Sequence, residues 1–224
     1  MAVLGSGHPR GIFNLYCIDQ TGFTFAVQCG IIRSILKQED GTMRKNFGAK
    51  PWLYPQPVLI IATYDEDGTP DAMNAAWGGI SEDKEIAMCH KTMKNILSRK
   101  AFTVSMADAA HMDACDYVGI VSGNTTPDKM ARAGFHVTKS EVVDAPIIDE
   151  LPMTLECKLI SFDEESELLL GEIVNVSADE RILDTEGKID PQKLQPITFD
   201  PVHNNYLVLG EKVGSAFEDG KKLK

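Results

Sequence analysis

The stretch from Asp71 to Gly79, DAMNAAWGG, joins a backbone almost free of bulk to one large indole. Ala72, Ala75, Ala76, Gly78 and Gly79 let a strand come close to another backbone or to a flat ligand. Trp77 can wall such a slot, and Asn74 offers both a donor and an acceptor at its edge. A strand that only lined a barrel would favour β-branched packing at these positions. Two further stretches carry anion-binding chemistry. HKTMKN supplies Lys91, Thr92 and Asn95 where a strand gives way to a helix N-terminus. SGNTTPDK supplies the Ser122 hydroxyl, the Gly123 and Asn124 amides and the Lys129 ammonium. Taken singly, either lysine reads as a solvated surface charge.

Metal and thiol chemistry find less support. The five histidines lack HxxxH or HxH spacing, and the five cysteines are an odd number without CxxC spacing. Neither a zinc site nor a disulfide framework is expected, and a reducing cytoplasm fits. Cys89 and His90 adjoin the first anion-binding stretch, but a Cys at a strand end reads as core, and His203 reads as a surface residue. The net charge of −11 repels phosphate backbones and anionic lipid surfaces, which argues against nucleic acid and membranes as partners. The longest apolar runs, VLIIATY and LLLGEIVNV, are strand-length, well short of the roughly 20 residues that span a bilayer.

The elements that must position these residues are mostly strands. Prolines 51, 55 and 57 keep the chain extended before a β-branched strand at 58–64. DEDGTP turns it, and DAMNAAW resumes antiparallel to it. Further strands are expected at 85–89, 101–107, 153–162, 167–176 and 205–209. Helices are expected over KTMKNILS, over AAHMDACDYVG with Asp108 as N-cap, and after Thr125 or Thr126, where Pro127 opens a short helix and Gly134 closes it. Short strands interrupted by short helices indicate a mainly β barrel with α insertions. There is no strand–GxGxxG–helix unit and no GxxxxGK[ST], so a bound nucleotide must be held in another way.

Residues 1–42 form an N-terminal extension in this reading. Their three basic and three acidic side chains cancel, so the whole −11 falls on residues 43–224. Gln38-Glu39-Asp40 can be encoded by a purine-rich ribosome-binding sequence just upstream of Met43, which predicts Met43 as the natural start. FTFAVQCGIIRSILKQ as a docked amphipathic helix is the competing reading, and a signal peptide is disfavoured.

The ordered set PxPVLIIATYDEDGTPDAMNAAWGGI, HKTMKNI, AFTVS, DYVGIVSGNTTPDKMARAGF, LPMTLECKL and GEIVNV resembles the flavin reductase-like proteins of the FMN-binding split-barrel superfamily, especially the flavoredoxin branch. The resemblance runs from about Met43 to about Phe217. It implies a six-stranded Greek-key split barrel with short helices, a homodimer, and FMN held non-covalently near the dimer interface. The cofactor-binding residues it implies are Asp71, Met73, Asn74, Ala75, Ala76 and Trp77 at the ring, Lys91, Thr92, Asn95, Ser122, Gly123 and Lys129 at the phosphate, and Tyr206 closing over the flavin. It implies an NAD(P)H-dependent flavin reductase that passes electrons to free flavin or a redox protein partner, with no catalytic side chain required. A flavoredoxin-type carrier reduced by a protein partner and a non-catalytic flavin- or haem-binding module are the alternatives. Two departures stand out. Asp71 occupies a position where these relatives usually carry Asn, and its charge would repel an anionic reduced flavin and lower its potential; membership of a solvated turn is the other reading of this residue. The histidine that some relatives carry before the GEIVNV strand is replaced here by DEESE.

Overall fold

The computed structural model describes residues 45–50, 52–75, 78–82, 85–88, 92–165 and 168–223. The chain divides into two compact units, Met1–Ala49 and Lys50–Lys224. Every strand and helix of the described residues belongs to the second unit, whose centre is one seven-stranded antiparallel sheet. In chain order the elements are β1 (Leu59–Tyr64), β2 (Pro70–Ala75), β3 (Gly78–Glu82), β4 (Glu85–Met88), α1 (Met93–Arg99), β5 (Ala101–Met106), α2 (Met112–Ile120), α3 (Lys129–Arg132), β6 (Val137–Lys139), β7 (Pro146–Ile148), β8 (Met153–Asp163), β9 (Leu168–Ala178), α4 (Pro191–Leu194), β10 (Ile197–Asp200) and β11 (Asn205–Val208).

The sheet order is β2-β1-β5-β8-β9-β4-β3, while β6-β7 and β10-β11 are separate two-stranded ribbons. The two edge strands, β2 and β3, are neighbours in sequence. Ala75 and Gly78 are three peptide links apart, a reach of at most about 11 Å. Opposite edges of the sheet are therefore tied together, and the sheet must roll into a barrel. Counting β2 and β3 together leaves six strands, the number expected.

Both faces of the rolled sheet are covered. Leu59, Ile61, Ala75, Phe102, Val104, Leu155, Cys157 and Leu169 fill the interior with Ile96 of α1, and each large side chain buried there contributes about 1.5–3 kcal/mol. Gly171 makes room for this packing, since a β-carbon there would stand 2.5 Å from Phe102 Cζ. On the outer face Val58, Ile60, Ala62 and Ala72 pack against Cys115 and Val118 of α2, Met130 of α3, and Phe135, Ile148 and Leu151. β1 is buried on both sides, which explains why its LIIATY is apolar but for Thr63 and Tyr64, with Thr63 paired to Ala101 O.

β5 alternates as AFTVSM, yet its Thr103 and Ser105 are as buried as its Phe102 and Val104. The 140–151 segment packs on this side against Ala101 and Thr103, and each polar group is paired. Thr103 Oγ1 donates to Pro146 O at 2.6 Å, Ser105 and Thr154 share a hydroxyl bond of 2.8 Å, and Glu156 accepts from Ser140 Oγ and from Asn175 Nδ2.

The expected strand over DAMNAAW is seen in β2 as far as Ala75, and its last two residues, Ala76 and Trp77, lie outside the described residues. Several elements differ from expectation. β3 (GGISE), the β6-β7 ribbon and β10 have too little apolar alternation to stand out in sequence. α2 begins at Met112 rather than beside Asp108, because Asp108 Oδ1 accepts both the His111 amide, at 2.9 Å, and His111 Nδ1, at 2.8 Å, and so holds AAH in a turn. Gly134 closes α3 with φ +75°, as its position suggested. No helix among the described residues is long and apolar enough to cross a membrane.

Candidate functional site

Strand β2 organises two groups of polar side chains. The first is built on Asp71, opposite Thr63 of β1. Asp71 Oδ1 lies 2.9 Å from the Lys129 ammonium, with the lysine side chain 4% exposed and the aspartate 24%. The ammonium also donates to Val121 O at 3.4 Å. Lys129 starts α3, and the turn before it is closed on Ser122, whose carbonyl accepts from the Thr125 and Thr126 amides at 3.1 and 3.0 Å and whose hydroxyl accepts from the Asn124 amide at 3.3 Å. Gly123 lies directly over the ion pair, where a β-carbon would stand 2.5 Å from Asp71 Oδ1. Asp71, Ser122, Gly123 and Lys129, drawn from two distant stretches, thus form one locus.

The second group lies where α2 crosses β2. Asn74 donates through Nδ2 to Cys115 O at 3.2 Å. The helix comes close enough that a β-carbon on Gly119 would be 2.7 Å from Asn74 Cβ. Tyr206 of β11 donates its phenol to Asp116 Oδ1 at 2.7 Å, and its ring leans on Phe199 with centroids 6.1 Å apart. Burial, then the Asp116 carboxylate, push the Tyr206 phenol well above its ordinary value, while the Asn74 amide works the other way. Asp116 and Gly119 escaped sequence reasoning; the glycine inside an otherwise helical stretch was the available signal.

Of the other expected residues, Met73 packs at the margin of the barrel interior, and Ala75 is fully buried there. Thr92 takes the position before α1 without making a side-chain cap hydrogen bond, and Asn95 is half-buried on that helix. Ala76, Trp77 and Lys91, with Cys89 and His90, lie outside the described residues. Gly78 and Gly79 open β3, and a β-carbon added at Gly79 would meet nothing within 4 Å. Burial pushes the Cys115 and Cys157 thiols up to about 12, which keeps them protonated at neutral pH. Among the described residues no group of three His, Cys, Asp or Glu side chains is arranged to hold a metal ion.

Residues 52–191 match the flavin reductase like domain. The fold is similar to that of flavoredoxin of Desulfovibrio vulgaris (Miyazaki F), at 38% identity and TM-score 0.76, over 80% of this chain and 100% of that one. A flavoredoxin from Methanosarcina acetivorans shares the fold at 24% identity and TM-score 0.73, over 82% of this chain and 100% of that one. Among curated sequences, the uncharacterized protein YddH of Escherichia coli is 28% identical over 154 residues, 63% of this chain and 80% of its own length.

Proposed function

We propose that this chain, which belongs to the flavin reductase-like family, binds FMN non-covalently and works as an NAD(P)H-dependent flavin reductase in the cytoplasm. The observation that carries the reading is the bare strand run at the barrel's two edges. β2 and β3 each have a strand partner on one side only among the described residues, so backbone donors and acceptors remain along their outer margins. The half-buried Gly79 has open space above it, as the approach of a flat ring requires. The donor set suits a phosphorylated flavin, since a buried lysine and a hydroxyl-bearing turn lie together at Ser122–Lys129.

In this reading Asn74, Ala75, Ala76 and Trp77 border the ring, Met73 backs it, and Thr92, Asn95, Lys91, Ser122, Gly123 and Lys129 serve the phosphate. Tyr206, anchored by Asp116, stands at the ring's margin. Bound FMN would supply hydride acceptance and onward electron delivery; the chain's own work is to hold it, orient it and leave one face open. A homodimer is part of the proposal. Leu207, Val208 and Leu209 are about half exposed, and Val213 and Phe217 almost wholly so, an apolar C-terminal run suited to a second copy of the chain.

The test is the anaerobic absorption spectrum of the purified protein before and after NADPH or NADH. A flavin spectrum that bleaches rapidly with nicotinamide is expected. Bleaching only with a protein donor would replace the reductase by an electron carrier, a second reading favoured by the 38% identity to a flavoredoxin. Colourless protein that takes up no FMN would overturn both.

A further inference from the structure

Lys129 is buried to 3% exposure, and its charge is met inside the protein by Asp71 Oδ1 at 2.9 Å and Val121 O at 3.4 Å. Asp71 is the outward member of the pair. The Asn124, Thr125 and Thr126 amides above it are turned inward onto Ser122, so these amides are spent within the turn and Lys129 is the charged donor it presents to an incoming anion. Gly123 seats its backbone on the pair, leaving no room for a side chain. A buried ammonium needs such a partner, because an unpaired charge in the interior is strongly destabilising. A carboxylate at this distance in a partly desolvated site strongly offsets the attraction the lysine exerts on any other anion.

We propose that Asp71 is a built-in counter-anion that competes with the bound flavin for Lys129, weakening the hold on flavin so that the cofactor exchanges rather than remaining as a tight prosthetic group. The proposal rests on the flavin-binding reading above. The competing anion on the flavin is its phosphate or the negatively charged ring of its reduced form, and both are repelled by the same carboxylate. Asparagine at 71 would keep the shape and a carbonyl oxygen for the lysine to donate to, while removing the charge.

The experiment titrates apo-protein with FMN and with riboflavin at low and high salt, for the wild type, Asp71→Asn, and Asp71→Asn with Lys129→Met. FMN affinity is expected to rise about tenfold in Asp71→Asn, to fall back as salt screens the charge, and to lose the gain in the double variant. A gain for FMN but not riboflavin assigns the anion as phosphate. A gain that appears for both flavins only on reduction, as a rise in midpoint potential, assigns it as the ring. Thermal melting provides the folding control, with apo Asp71→Asn melting lower than the wild type and gaining more from added FMN. Equal affinities and equal potentials in the wild type and Asp71→Asn, or a gain that survives Lys129→Met, would overturn the proposal. A wild type that binds neither FMN nor riboflavin would instead bring down the flavin reading beneath it.

Discussion

At the scale of single residues, partners matter more than types. Asp71 could be read in sequence as a solvated turn residue or as a ring contact, and Lys129 as a surface charge or as a phosphate clamp. Their pairing at 2.9 Å changes the terms for both, because the charge of each is now offset by the other. Tyr206 and Asp116 form a comparable pair. The phenol's pKa is raised in the folded protein, so its contribution to stability is complete below about pH 10, its unfolded value, and fades as pH climbs toward the folded value. Tyr206→Phe should cost about 1 kcal/mol at neutral pH through the lost hydrogen bond. It should also flatten the alkaline fall in stability, as read by urea denaturation from roughly pH 8 to 11. The buried thiols of Cys115 and Cys157, both near 12, should resist iodoacetamide in the native protein at about pH 8 and react only after unfolding. Site-resolved mass spectrometry checks this, and native labelling of either would show that its burial is not maintained.

At the scale of elements, two glycines decide how close neighbours come. Gly119 lets α2 settle on β2, and the obstacle to any larger residue is Asn74 Cβ at 2.7 Å. A β-carbon cannot rotate away, so Gly119→Ala should destabilise by about 1–3 kcal/mol. Adding Asn74→Ala should bring no relief, since that change retains the clashing atom. Gly171 faces the tip of Phe102 inside the barrel, and there a shorter partner can yield. Gly171→Ala should also cost about 1–3 kcal/mol, and Phe102→Leu in the same chain should recover part of it. Chemical denaturation of the single and double variants separates the two cases. β5 shows how an element's surroundings can exceed its pattern. Its alternation of polar and apolar residues suggests one solvated face, yet both faces are buried: Thr103 is bonded to Pro146 O of the 140–151 segment and Ser105 to Thr154 of β8.

At the scale of the whole molecule, the sheet order puts Ala75 and Gly78, where β2 ends and β3 begins, on its two opposite edges. In the proposed function, small residues there keep the outer margin of each edge strand open to the flavin. The apolar C-terminal run gives the molecule a surface that a second copy would cover, and light scattering at micromolar concentration should report a dimer. Replacing Val213 and Phe217 by serine should shift that equilibrium toward monomer; a wild-type monomer would remove the dimer from the proposal.

Much of the fold and part of the site were legible in the sequence. β-Branched runs, turn chemistry and the ordered motifs determined a mainly β chain with short helices and its family, because alternation and turn residues act within a few positions of one another. The bare strand and the Ser122–Lys129 turn were visible for the same local reason. The tertiary structure decided what lay far apart in the chain: that β2 and β3 hold opposite edges of one sheet, that Asn74 is drawn against α2, and that Asp71 meets a lysine 58 positions away. Ion pairing and close packing depend on distance in space, which the residue types of a linear chain do not specify until the sheet has rolled.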